Sequence, residues 1–104
     1  MVFIELPIFL KTIKDLFTDE DIRTLQNALL ENPELGDVIS AMGGIRKMRF
    51  AAKNKGKRSG ARVIYFYVHV SQHIYLLFTY AKNNKLDLTQ AEKKLFAALV
   101  KELT

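Results

Sequence analysis

Apolar residues recur along this chain with two periods, and the changes of period mark the elements. "VFIEL" (Val2 to Leu6) reads as a short strand ended by Pro7, which itself suits the first turn of a helix. In the stretch that follows, Phe9, Ile13, Leu16 and Phe17 fall at helical spacing. Thr18 opens "TDED", with three acids at the positive end of a second helix and Asp21 where a capping box places its acid. That helix carries Ile22, Leu25, Leu29 and Leu30 on one predicted face and stops before Asn32-Pro33. "PELGDVI" reads as a turn or short helix, and "MGG" (Met42 to Gly44) as a break.

The period then changes to that of strands. "IRKMRFA" (Ile45 to Ala51) is the first of three, and "ARVIYFYVHV" (Ala61 to Val70) is apolar on both faces, as a central strand should be. "HIYLLFTYA" (His73 to Ala81) follows across Ser71-Gln72, so a tight two-residue hairpin is expected. A final helix starts at a capping box, Thr89 to Glu92, and presents Leu95, Phe96, Leu99 and Leu103. The order β-α-α-β-β-β-α predicts one α+β domain over residues 1–104, with helices packed on a small, twisted, mostly antiparallel sheet. No cysteine is present, so disulfides and thiolate chemistry are excluded, and neither a membrane-spanning run nor a signal peptide is evident. The chain reads as soluble and cytoplasmic.

Charge sharpens this picture. The net charge of +5 conceals a separation: Met1 to Asp37 holds eight acids against three bases, whereas Val38 to Leu86 holds ten bases and no acid. A field of one sign over one face attracts a polyanion, so a nucleic-acid partner is expected. With Val70 paired to His73, Arg62 faces Ala81 and Val63 faces Tyr80. Arg62, Tyr80 and Lys82 then gather at one end of the hairpin. There they meet Lys53, Lys55, Lys57 and Arg58 of the connecting loop, and Arg46, Lys47 and Arg49 of the preceding strand.

His69 and His73 lie at the other end of the hairpin, roughly 23 Å from Arg62 at about 3.3 Å per residue, too far for acid–base work there. No metal-ligand set, Walker loop, dinucleotide fingerprint or Ser-His-Asp pattern appears, and no cofactor is expected. Cations and a tyrosine suffice for one reaction class: cleavage of RNA by attack of its own 2′-hydroxyl on the adjacent phosphate. That reaction needs a proton acceptor, neutralisation of the pentavalent phosphate and a proton donor to the departing 5′-oxygen. Guanidinium groups hold phosphate bidentately, and a lysine crowded by cations, such as Lys55 or Lys57, releases its proton more readily. Tyr80 could stack on a base or move a proton, or simply serve as a core aromatic. A basic module that binds RNA or ribosomes without cutting is the alternative. A DNA-binding regulator fits less well, because the cations fall on strands and a loop instead of a recognition helix.

"GGIRKMRFA", the basic loop, "SGARVIYFYV" and "IYLLFTYAKNNKLDLTQAEKK" together resemble the RelE/HigB superfamily of bacterial toxins, nearest its HigB-like branch. The resemblance runs from "FIELPIF" to the final helix. It implies a RelE-like ribonuclease architecture and a metal-independent mRNA interferase that enters the ribosomal A site and cleaves messenger RNA. It also implies a cognate antitoxin, HigA-like, with a helix-turn-helix domain. The family's strand arginine falls on Arg62, its upstream basic residues on Arg46, Arg49, Lys53, Lys55 and Lys57, and the basic residue after the third strand on Lys82. This chain has no arginine at that last position, and no histidine or tyrosine near its C-terminus.

Overall fold

The computed structural model describes residues 1–51, 60–82 and 85–103. Its elements are β1 (Val2–Glu5), α1 (Pro7–Ile13), α2 (Asp19–Glu31), β2 (Asp37–Val38), β3 (Arg46–Phe50), β4 (Ala61–Val68), β5 (His73–Ala81) and α3 (Gln90–Leu103). The strands form one sheet in the order β1-β5-β4-β3-β2. All neighbours are antiparallel except β1, which runs parallel to β5. The expected α+β class holds, with one strand more than the sequence suggested. The turn expected in "PELGDVI" contains β2, whose Asp37 and Val38 pair with Lys47 and Arg46.

Both faces of the sheet are used, which is why β4 at its centre is apolar on both faces from Val63 onward. On one side Val63, Tyr65, Ile74 and Leu76 pack with Phe9, Ile13, Leu25 and Leu29 of α1 and α2. On the other, Ile64, Phe66, Leu77, Phe78 and Tyr80 pack with Phe96 and Val100 of α3. The α2 capping box forms as expected: Thr18 Oγ1 accepts from the Asp21 N–H at 3.1 Å, and Asp21 Oδ2 accepts from the Thr18 N–H at 2.9 Å. Thr89 and Glu92 do the same for α3 at 3.1 and 2.8 Å. Two expected core leucines are corrected: Leu30 and Leu95 sit at the margins of their helical stripes and are largely exposed.

The hairpin register is also corrected. The turn is not the tight pair Ser71-Gln72. It spans residues 69–72, with Val68 opposite His73. Gln72 takes the left-handed conformation (φ 57°), and its side chain donates to the His69 carbonyl and the Tyr67 hydroxyl. A bulge between Ile64 and Tyr65 leaves Leu77 without a partner on β4, so Leu77 and Phe78 both turn toward α3. Arg62 therefore stands opposite Tyr80, not Ala81. A one-residue change of register moves a side chain's partners to the other face, so this shift decides what Arg62 sits beside.

Candidate functional site

Alternation along β3 sorts its cations. Arg46, Met48 and Phe50 share the face of Tyr65 and Val63, toward α1 and α2; Lys47 and Arg49 share the α3 face with Ile64 and Arg62. Arg49 is directly opposite Arg62, and Arg62 directly opposite Tyr80, so three strands align two guanidinium groups and a phenol. Facing like charges repel unless an anion lies between them. Neither arginine meets a carboxylate among the described residues.

α3 and the segment leading to it cover only part of this face. The uncovered part is an open cleft of about 630 Å³, lined among the described residues by Leu35, Asp37, Lys47, Met48, Arg49, Arg62, Lys82 and Leu86. Acids that the sequence places just outside its cationic segment reach the rim. Asp37 lines the cleft, and Asp87 takes Lys47 at 3.5 Å and Lys93 at 3.8 Å. The Leu88 N–H bonded to Asp87 holds that carboxyl below its ordinary value; burial opposes it, and the charges of Lys47 and Lys93 add to the lowering. Glu92 accepts from Lys85 Nζ at 2.6 and 2.8 Å. Burial works to raise the Glu92 pKa, but its bonds to Lys85 and the Thr89 N–H together leave it lowered. Lys85 lies 5.4 Å from the Phe78 ring centroid and 5.7 Å from that of Tyr80. Lys47 and Lys85 are thus engaged, whereas Arg49, Arg62 and Lys82 are left open to the cleft.

Arg46 does not join them. Its guanidinium donates to the carbonyls of Gly36 at 2.7 Å and Glu34 at 3.3 Å, and to the Glu34 carboxylate at 3.2 Å. It stitches the α2–β2 connection to the sheet beside Tyr65, whose hydroxyl donates to the Pro33 carbonyl and accepts from the Gly36 N–H, both at 2.8 Å. A Cβ on Gly36 would lie 2.9 Å from the Tyr65 ring, so only glycine admits this approach. Strand parity is the signal that separates Arg46 from Arg49. Tyr80 is only 4% exposed, packs in the α3-side core, and its hydroxyl finds no partner among the described residues. Burial, then the charge of Asp87, raises its pKa, partly countered by Arg62, so it stays a phenol at neutral pH. Lys53, Lys55, Lys57 and Arg58 lie outside the described residues. The histidines are far from the cleft, as expected, in the turn and at the start of β5.

The fold is thus a small α+β domain with two arginines aligned across β3 and β4 at an open cleft. Residues 10–104 match the family model described as the RelE toxin of the RelE/RelB toxin–antitoxin system. The chain belongs to the RelE toxin family. Among solved structures it is similar to a double arginine-to-alanine mutant of the E. coli toxin RelE in the free state. The two align at TM-score 0.61 and 16% identity, over 99% of this chain and 97% of that one, a likeness of fold.

Proposed function

We propose that this RelE-family toxin is a ribosome-dependent endoribonuclease that enters the A site, cuts messenger RNA and stops translation. The single observation that carries the reading is the alignment of Arg49 and Arg62 across β3 and β4, on the uncovered part of the sheet, with no carboxylate paired to either among the described residues. An RNA phosphodiester fits between two guanidinium groups, and the pentavalent phosphate formed by 2′-hydroxyl attack gains more from them than the ground state does. Lys82 stands at the same cleft and is placed to serve the phosphate or a departing oxygen, with Lys55 and Lys57 as the remaining proton-transfer groups of the scheme. Lys47, Lys53 and Arg58 are assigned to backbone contacts with RNA.

The same face suits an antitoxin of the HigA-like, helix-turn-helix kind, which would silence the toxin by laying an acidic segment over the cleft. Within the family the HigB-like branch is proposed on the resemblance that runs from "FIELPIF" to the final helix.

Purified protein added to ribosomes programmed with a defined message is expected to release fragments ending in a 2′,3′-cyclic phosphate or 3′-phosphate, paired with 5′-hydroxyl ends. Cleavage is expected to survive chelator once the ribosome's own magnesium is controlled. A 5′-phosphate product would identify water as the nucleophile and overturn the mechanism. Binding to ribosomes without any cleavage would favour the non-catalytic reading.

A further inference from the structure

Two leucines in the cleft are unexplained by phosphate binding. Leu35 is 47% exposed and Leu86 is 83% exposed, yet both line the cleft that holds Arg49, Arg62 and Lys82. They come from unrelated segments, the α2–β2 connection and the β5–α3 connection. In each case the residues on both sides are anchored while the leucine itself is held out. Arg46 grips the carbonyls of Glu34 and Gly36, which flank Leu35, and the Leu35 N–H is bonded to Asn32 O at 3.1 Å. Lys85 is held by Glu92, and Asp87 by Lys47 and Lys93, on either side of Leu86.

From this we infer that Leu35 and Leu86 form an apolar seat for a nucleobase of the bound RNA, adjacent to the phosphate at Arg49 and Arg62. The inference rests on the reading of the cleft as an RNA site and adds the group that positions the strand within it. A nucleotide carries an anion and a flat apolar ring a short span apart, and one cleft is lined by both cations and two leucines. Its volume is within the range of about 300–1,000 Å³ typical of sites for single small groups. Apolar contact with the face of a base is tolerant of sequence, since every base has such a face.

The test uses protein labelled in its leucine methyls and arginine side chains, titrated by NMR with a 2′-O-methyl RNA hexamer that cannot be cut and with its abasic counterpart. The expected result is movement of the Arg49 and Arg62 signals with both oligomers, and ring-current shifts of the Leu35 and Leu86 methyls with the base-bearing one alone. The Leu35→Ser/Leu86→Ser variant should lose about tenfold in affinity for the base-bearing hexamer and none for the abasic one. Arginine shifts without leucine shifts, or equal loss toward both oligomers, would overturn the inference and leave the RNA site standing. Still arginine signals with either oligomer, together with no cleavage of programmed ribosomes, would overturn the RNA reading itself. Unchanged RNA affinity in the double variant, with weakened binding of an acidic antitoxin segment, would assign the leucines to protein contact and overturn the nucleobase seat.

Discussion

Arg46 and Arg49 stand three residues apart on one five-residue strand, and the sheet between them gives them opposite fates. On the α1/α2 side, Arg46, opposite Tyr65 in the ladder, meets two carbonyls and a carboxylate, so its charge is spent on holding a loop. On the α3 side, Arg49 stands opposite Arg62 in the ladder with no carboxylate paired to it among the described residues, and the cleft leaves both uncovered. Asp87 and Glu92 there are drawn to Lys47, Lys85 and Lys93, leaving both guanidinium groups without a carboxylate partner among the described residues. A cation whose hydrogen bonds are satisfied contributes to folding. One left beside a like charge is retained at a cost to folding, which is the signature expected of a binding group.

The two faces should differ most in activity. Arg62→Ala is expected to lower the rate of ribosome-dependent cleavage by about 10²–10³, the loss typical of one charge-stabilising group. Its urea unfolding midpoint should be unchanged or slightly raised, because a like-charge pair is relieved. Arg49→Ala should follow the same direction. Near-wild-type cleavage by a stable Arg62→Ala protein would remove the pair from the chemistry.

Arg46→Ala should do the reverse, costing roughly 1–3 kcal/mol of stability through the unsatisfied carbonyls of Gly36 and Glu34 while keeping most of the cleavage rate. Tyr65→Phe should destabilise by a similar amount, since it strips the buried Gly36 N–H of its acceptor. Equilibrium unfolding of both variants beside Arg62→Ala would show whether the two faces divide stability and function in this way.

Why the sequence revealed the class of fold but not this division is a matter of parity and register. The capping boxes at Thr18 and Thr89, and the two-sided apolar run of β4, depend on residues close in sequence, and they were legible. Arg46 and Arg49 were grouped by proximity in sequence, although residues three apart on a strand must point to opposite faces. The opposition of Arg62 to Tyr80 depends on a left-handed Gln72 and on the bulge at Leu77, and neither leaves a pattern in hydrophobicity. Asp37 and Asp87 lie at the borders of the acid-free segment, and only folding brings them to the cleft rim.

The acids on the α3 side should also make stability depend on pH. Asp87 and Glu92 have folded pKa values below their ordinary 3.8 and 4.5, so the folded protein binds their protons less readily than the unfolded chain does. Their stabilising effect is therefore complete above the ordinary values and is lost as pH falls through the depressed ones. Glu92→Gln should be less stable than the parent at pH 7, and the difference in urea midpoint should shrink as pH falls below about 4.5. A gap that stays constant down to acid pH would mean that Glu92 contributes by packing and not by charge.

The smallest effect is expected at Tyr80, and it decides whether the phenol belongs to the cleft or to the core. Its position opposite Arg62 invites a proton-transfer role, but its side chain is buried among Phe78, Phe96 and Leu88, and desolvation raises its pKa. The hydroxyl has no hydrogen-bond partner among the described residues, so it gains nothing from the fold that would offset leaving water. Removing it should then cost little. Tyr80→Phe is expected to unfold at the same or a slightly higher urea concentration, with a change within about 1 kcal/mol, and to cleave programmed ribosomes at close to the parent rate across pH 6–9. A core phenylalanine in that place preserves the ring beneath Lys85 and the wall behind Arg62. A fall in rate comparable with that of Arg62→Ala, at unchanged stability, would instead show that RNA binding draws the hydroxyl into the reaction.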